Sequence, residues 1–569
     1  MGKVTVSPRN NKQIVIPLIM ALGNHVIKEI GLVEKINQTV RWDPGQWEVS
    51  PGQLAKAMIL ASLTDIRAPL THMSKRFAGL DTEYLFGEGI GEEAINEYNL
   101  GQMLDRLSEQ DCNALYRSIA LSISTIYQTA VNRLHADTTT ISFYGEYDID
   151  LERLSQAEQE EILKITRGYN KDGKPQCNQV VVGQIVNEEG LVLASDVMDG
   201  NTSDIDWNRR AIEYAREIQQ TLSSTGVFVA DSKLVCAEHF KNLMDPLNRV
   251  LFVSRCPANF ANKLESRLIE KAYAGNEWQE LGQYRENSKA SQYEGVAFSE
   301  ELYGYDCRLL VVRSSSLAGK AEQQLEKEKE QATEAIRELE KKTFKCLPDV
   351  EAEWQRFLKL RVCRLFAFER EIITETVEKW PRGRRRPDAK PIGVDTRYRI
   401  QVTALTESPA AEHFRHNESC FVLIGNLGEE TTDREFLGIY KGQQIVENSF
   451  MILKKPCLAS VIYLKNENRI RALTMILSLA LMVRAILQYR MRQGLAVYQK
   501  ENPGKALKAG WGTKKLTAPT FQLLFEYSRN HYYLKTGPDE YSFCFDSDEN
   551  EVRLTILLSL MNLTVSDLI

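Results

Sequence analysis

The chain has 569 residues, 43% of them hydrophobic and 26% charged, with a formal net charge of −6. That length exceeds what one core can organise and calls for roughly two to four domains, and the composition is that of a soluble globular protein rather than a disordered or membrane-embedded one. The ten cysteines are scattered, with no C-x-x-C pair and no histidine cluster, so they read as reduced cytosolic thiols rather than a disulfide framework or a zinc site.

Taken in chain order, residues 1–130 are dominated by i, i+3, i+4 apolar spacing, as in GQLAKAMILASLTDI and LGQMLDRLSEQ, and are expected to be mostly helical. The apolar run at 14–23 follows Lys3, Arg9 and Lys12 and so imitates a signal peptide. Its helical pattern continues through HVIKEIGLVEKI without a small-residue cleavage site, which predicts a core helix. From about 131 the period changes to alternation. NRLHADTTTISFYG, KPQCNQVVVGQIVNEEG and LVLASDVMDGN predict three strands of an antiparallel meander. A helix (DWNRRAIEYAREIQQTL), a short buried strand (GVFVADSKL), a second helix (CAEHFKNLMD) and a further strand (RVLFVSRCP) follow. This βββαβαβ order predicts an open mixed sheet with crossover helices.

Residues 259–300 are polar and carry no clear period. CRLLVVRSS then predicts a strand, and 318–345 a long charged helix or short coiled coil. A protein built around that coiled coil is the weakest functional reading, because the stretch lacks a clean a/d seam. YRIQVTAL and CFVLIGNL are strand candidates. ALTMILSLALMV (472–483), bounded by Arg471 and Arg484, is too short to span a bilayer and predicts a buried helix.

Charge is unevenly distributed. Tyr440 to Leu516 holds 14 lysines and arginines against 3 acids, and Glu353 to Ile400 holds 13 against 7, so the rest of the chain is strongly acidic. Concentrated cations on an acidic whole predict a local phosphate-binding surface.

Within the first of these segments, YKGQQIVENSFMILK places Tyr440, Gln443, Glu447 and Lys454 at roughly 0°, 300°, 340° and 320° on a helical wheel. One carboxylate amid phosphate-binding partners on one helix face suits metal-assisted chemistry on a nucleic-acid backbone. An ordinary amphipathic helix with a stripe of Ile445, Phe450 and Leu453 fits the same letters. Two aspartates strengthen the first reading. Asp137 sits in the first strand of the meander, and Asp231 ends an apolar strand of the buried type. A carboxylate there is costly without a partner, and a cation is one natural partner. Asp231 capping the next helix and Asp137 bonding the adjacent threonines are the structural alternatives. Three hard oxygen ligands are what two Mg²⁺ ions need to bridge a phosphate.

The set HADTTT, GYNKDGKPQCNQVVVG, DGNTSD, VADSKL, LFVSRCP, CFVLIGNL and YKGQQIVENSFMILKKP resembles bacterial insertion-sequence DDE transposases, from about residue 130 to 490. The branch it is similar to has a ribonuclease-H-like core interrupted by a β-rich insertion. Its signature is Tyr, two residues, Arg, three residues, Glu, six residues, Lys. Tyr440, Glu447 and Lys454 match in place, whereas Gln443 stands where the family has arginine.

The resemblance implies an α/β fold: a ribonuclease-H-like mixed sheet with helices, a β-rich insertion, and an N-terminal helical domain. The corresponding segments are 1–125, helical and a candidate for binding DNA ends; 126–258, the first part of the core; 259–432, the insertion; 433–495, the second part of the core; and 496–569, a C-terminal region. The 216 residues between Asp231 and Glu447 are what such an insertion would produce. By position, Asp137, Asp231 and Glu447 become the acidic ligands of two Mg²⁺ ions, for which Mn²⁺ can substitute. Tyr440 and Lys454 become phosphate contacts. Gln443 cannot supply a guanidinium, so that contact is expected to be lost or taken over by a neighbour such as Lys441.

The expected function is metal-dependent strand cleavage and strand transfer on DNA, without a covalent protein–DNA intermediate. The expected partners are element ends and target DNA, bound by a homodimer with no membrane association. The expected location is the bacterial cytoplasm, at the nucleoid when bound. The departure at Gln443 favours the alternative, a decayed or repurposed transposase that only binds DNA. WPRGRRRP, with Arg382, Arg384, Arg385 and Arg386, reads either as a minor-groove arm or as a basic linker. Tyr169, Asn170 and Lys171 are either near the active site or a plain turn. Trp354 and Trp380 are candidates for stacking a flipped base, although core packing is the commoner role.

Overall fold

The chain was analysed as a computed structural model that describes residues 14–64, 69–143, 162–284, 290–380, 382, 390–454, 467–510, 514–545 and 548–569. It is a mixed α/β protein of two compact units. One comprises Met1–Leu234, Asp245–Leu251 and Gly442–Ile569, the other Val235–Met244 and Phe252–Lys441. This division cuts the chain differently from the five segments read from the sequence: the N-terminal helices, the meander and everything after Gly442 form one body.

The first unit opens with β1 (Val15–Pro17) and turns helical at once. Helices Leu18–Glu29, Leu32–Thr39, Pro51–Ser62, Glu97–Ser108 and Cys112–Ile126 follow where the apolar period predicts them. Their starts are chemically marked. Ser50 accepts from the Gln53 amide ahead of Pro51, Asn96 accepts from Asn99, and Asp111 accepts from Asn113 and Ala114. The run that imitates a signal peptide is the start of the first helix, with Leu18 to Asn24 buried.

These helices close around Glu467–Glu501, a helix of 35 residues. By length and composition it could cross a membrane, but its most apolar window is 89% buried inside the protein. It packs on helices Leu18–Glu29, Pro51–Ser62, Glu97–Ser108, Cys112–Ile126 and Asp548–Leu560. Arg469 forks onto both carboxylate oxygens of Asp105 at 2.5 and 2.6 Å.

The meander is β2 (Arg133–Phe143), β3 (Asn178–Asn187) and β4 (Val192–Met198), antiparallel throughout and turned between the last two strands at Gly190 (φ +89°). Helix Asp204–Thr221 then leads to β5 (Val227–Ala230), which lies parallel to β2 on its other side. The order β4-β3-β2-β5 therefore mixes both pairings.

In the second unit, β6 (Phe252–Arg255), β7 (Gln279–Gly282), β8 (Tyr293–Leu302), β9 (Tyr305–Ser314) and, after a separate ribbon of β10 (Phe366–Lys379) and β11 (Gly393–Glu407), β12 (Cys420–Gly425) build an antiparallel sheet ordered β6-β12-β9-β8-β7. The aperiodic stretch 259–300 contains helix Leu264–Gly275, β7 and part of β8. The charged helix, Ser315–Glu340, buries Ala321, Leu325, Ala332, Ile336 and Leu339 against its own unit, so its apolar face is covered within the chain. In the first unit, β13 (Tyr532–Lys535) and β14 (Tyr541–Cys544) complete a three-stranded sheet with β1.

The segment Tyr440 to Lys454 is not one helix. Helix Asp433–Lys441 ends the second unit, Gly442 and Gln443 make a turn, and helix Gln444–Leu453 begins the first unit's last part. Glycine inside a helix costs about 1 kcal/mol relative to alanine, and here it marks the break. The wheel therefore does not hold across all four residues. The buried stripe of the second helix is Val446, Ser449, Phe450 and Leu453 rather than Ile445, Phe450 and Leu453.

Candidate active site

The sheet of the first unit has two covered faces, and the β2–β3 register identifies them. Thr138 lies opposite Gly183, where an added Cβ would fall 2.4 Å from the Trp207 ring. Helix Asp204–Thr221 therefore covers that face, and glycine is required for its approach. Asp137 lies opposite Gln184, whose Oε1 accepts from Ser449 Oγ at 2.8 Å. Helix Gln444–Leu453 therefore covers the other face, the one to which Asp137 belongs. Glu447 is exposed in the first turn of that helix, where the helix dipole favours a carboxylate.

β5 brings the second aspartate alongside. Its parallel register pairs Leu134 with Phe228 and His135 with Val229. Asp231 follows two residues after Val229, and its charge lies close enough to Asp137 to raise that carboxyl. Asp231 lies just past the end of β5, at a strand's carboxyl end, where open α/β sheets hold their ligands.

Of the structural alternatives, Asp137 does bond its neighbouring threonine, whereas the next helix, Ala237–Leu243, has Cys236 at its N-cap and Asp231 bonds within a short turn. Asp231 Oδ1 accepts from the Lys233 amide at 3.1 Å at the start of a short 3-10 turn, and Asp137 Oδ1 accepts from the Thr138 amide at 2.7 Å. Neither bond satisfies the charge. Burial pushes the Asp137 carboxyl up to about 6, with Asp231 and Asp204 adding to the rise and Lys171 opposing it. Burial also raises Asp231, with the Asp204 charge adding to it.

Two residues outside the expected ligand set lie close to Asp137. Asp204 opens its helix behind the N-cap Ser203, and its Oδ1 accepts from Thr138 Oγ1 at 2.6 Å. As the Asp of TSD it reads as an ordinary first-turn acid, so only the fold reveals the proximity. Lys171, read from the sequence as near the active site or in a plain turn, is the second. Its Nζ lies 3.6 Å from Asp137 Oδ1 and 3.2 Å from Asp204 Oδ1, and it donates to Thr138 Oγ1 at 2.6 Å and Thr138 O at 3.0 Å. Asn170 anchors the same turn by donating to Ser142 Oγ and Gln179 Oε1. Tyr169 is 86% exposed.

The donors suit a hard cation: carboxylates that burial and mutual repulsion hold toward protonation attract positive charge, and an ammonium already stands among them. Asp137 and Asp231 fit one such ion. Among the described residues no three histidine, cysteine or acidic side chains converge closely enough to hold a metal, so Glu447 is not drawn into the aspartate pair.

The phosphate contacts expected from the sequence have other partners here. Gln443 donates from Nε2 to Ala136 O at 2.8 Å. Lys454 pairs with Asp172 at 2.5 Å. In the second unit, Lys441 lies over the rings of Tyr293 and Phe421 at 4.5 and 5.2 Å, and Tyr440 packs near Phe421. The positive excess of Tyr440 to Leu516 is likewise not one open face. Arg490 pairs with Glu29 at 3.0 Å, and Arg484 is 4% exposed and stacked 4.0 Å from Phe521. The arginine-rich segment falls in the connection between β10 and β11. Arg382 is exposed there, whereas Arg384, Arg385 and Arg386 lie outside the described residues. Trp354 is a core residue, stacked on Phe357.

A family model described as "Domain of unknown function (DUF4277)" matches residues 17–121. No curated protein matches the chain. Among solved structures, one described as "Cryo-EM structure of piggyBac transposase synaptic complex with hairpin DNA (SNHP)" is similar at 10% identity, covering 96% of this chain and 80% of that one with a TM-score of 0.36. A likeness that low carries no weight for fold or function.

Proposed function

We propose that the protein is a DNA transposase of the DDE class, with a ribonuclease-H-like core, that cuts and rejoins DNA by metal-assisted phosphoryl transfer. The observation that carries this reading is the pair of carboxylates raised by burial, Asp137 on β2 and Asp231 just past the end of its parallel neighbour β5, on a sheet whose Asp137 face is covered by helix Gln444–Leu453. The sequence resemblance supplies the class, and the two raised carboxylates support it.

In this reading Asp137 and Asp231 hold Mg²⁺, or Mn²⁺ in its place, and Glu447 completes the ligand set. The bound ions supply Lewis acidity toward the attacking water or 3′-hydroxyl and the leaving oxygen. Asp137 on β2 and Asp231 just past the end of β5 would contribute negative charge held by the sheet, so little reorganisation would be needed when ligands arrive. Glu447 contributes an exposed carboxylate that DNA can bring into register. Lys454 is a phosphate contact once released from Asp172. Two element ends must be held together, which implies a homodimer on DNA at the bacterial nucleoid.

One observation favours a second reading, a repurposed DNA-binding protein without catalysis. Gln443, which replaces the family arginine, is turned inward onto β2. Mg²⁺-dependent nicking of supercoiled DNA carrying the gene with its flanks separates the two. The parent chain should nick, and Asp137→Ala, Asp231→Ala and Glu447→Gln should not. Equal nicking by parent and Glu447→Gln would remove the DDE assignment. Metal-independent binding by all four, with no nicking, would favour the second reading.

A further inference from the structure

The turn beginning at Asn170 offers one charge to each side of the candidate site. Lys171 places an ammonium among Asp137 Oδ1, Asp204 Oδ1 and both oxygens of Thr138, at 2.6 to 3.6 Å. The next residue, Asp172, places a carboxylate on Lys454 Nζ at 2.5 Å. Adjacent residues therefore present a cation to the acidic groups and an anion to the cationic one.

We propose that Lys171 and Asp172 form an internal substitute for a metal ion and a DNA phosphate, and that the turn holds the site in a resting state until both are displaced. The proposal rests on the metal-and-DNA reading given above.

Three features support a built arrangement rather than chance surface pairing. The turn is anchored independently of its charges: Asn170 donates to Ser142 and Gln179, its Oδ1 accepts the amides of Asp172 and Lys174, and the Lys171 amide donates to Thr140 Oγ1 at 3.2 Å. The Lys171 side chain is only 27% exposed and the Asp172 side chain 33%. All four oxygens around the ammonium come from Asp137, its neighbour Thr138, or Asp204, so a hard cation entering beside Asp137 meets Lys171 first. The Lys454 ammonium, in turn, is partly neutralised by Asp172, so a phosphate must compete with that carboxylate for it.

The device gives the site an order of events. Metal alone must compete with an intramolecular ammonium, and DNA alone must compete with an intramolecular carboxylate. A metal-bearing phosphate backbone offers replacement partners for both at once, so the two ligands favour each other's binding.

The test uses the full chain, Mn²⁺ alone followed by calorimetry, and a random-sequence DNA duplex in chelator followed by fluorescence anisotropy. Lys171→Gln keeps a donor for Thr138 but loses the charge. It should bind Mn²⁺ roughly three- to tenfold more tightly than the parent, the range for releasing one partly exposed ion pair. Asp172→Asn should leave Mn²⁺ affinity unchanged and tighten metal-free DNA binding by a similar factor. Lys171→Arg, which keeps the cation, should match the parent. Weaker or unchanged Mn²⁺ binding by Lys171→Gln, with unfolding temperature preserved, would overturn the proposal, as would unchanged DNA binding by Asp172→Asn. If the parent itself bound Mn²⁺ no better than Asp137→Ala, the underlying metal-site reading would fail instead.

Discussion

Gln443 donates its side-chain amide to the carbonyl of Ala136, the residue immediately before Asp137. The position where the resembling family carries arginine thus fastens the turn ahead of helix Gln444–Leu453 to the strand that bears the first aspartate. Gln443→Ala removes this tie and should lower stability by about 1 kcal/mol, the usual net value of one such bond. Denaturant unfolding reads that loss, and a drop in Mn²⁺ affinity measured alongside it would show that the tie also positions Asp137.

Asp137 should trade stability for ligand binding. Its carboxyl is raised to about 6, first by burial, so in the metal-free protein the stabilising contribution is complete below pH 3.8 and is lost as pH rises through about 6. At pH 7 the charged form is a burden. Asp137→Asn should therefore stabilise the metal-free protein at pH 7 by on the order of 1–3 kcal/mol while abolishing Mn²⁺ binding. Unfolding in chelator at pH 7, with calorimetry on the same samples, checks both halves.

Glu447 is exposed. Glu447→Gln should change stability by no more than about 0.5 kcal/mol, as surface substitutions do. If it also ends nicking, the loss can be assigned to chemistry rather than folding. A large drop in unfolding free energy would instead make the glutamate a structural residue.

Lys56 sits 3% exposed on helix Pro51–Ser62, and burial, with Lys28 adding, lowers its ammonium to about 8. A depressed value contributes stability that is present above 10.5 and lost as pH falls through about 8. Stability should therefore rise between these limits, and Lys56→Met should remove that rise and stabilise the protein at pH 7 by about 3 kcal/mol. Urea titrations at pH 7, 8 and 10 measure it.

The local elements were legible because local rules determine them. The strands β2 to β5 announce themselves through β-branched alternation, and the N-terminal helices through apolar spacing and capping side chains. The break at Gly442 was not legible from a wheel, which assumes helix continuity and so assigned Tyr440 and Glu447 to one face. Asp137 and Asp231 were found because strand-borne carboxylates are costly. Asp204 and Lys171 were missed or left open because their proximity depends on how helix Asp204–Thr221 and the turn at Asn170 dock on β2, which no local pattern encodes. The counted positive charge of Tyr440 to Leu516 could not show for the same reason which cations are taken up internally: Arg469, Arg484 and Arg490 find partners hundreds or tens of residues away.

Helix Glu467–Glu501 holds the N-terminal helices in place, and Asp105 meets Arg469 across a separation of 364 residues. During synthesis the first helices leave the ribosome long before their packing surface exists. Their apolar stripes must wait for most of the chain, shielded by collapse onto one another or by chaperones. The region matched by the family model is in this sense the last part of the first unit to be finished although it is the first to be made. A truncation ending before residue 467 should leave it without a home.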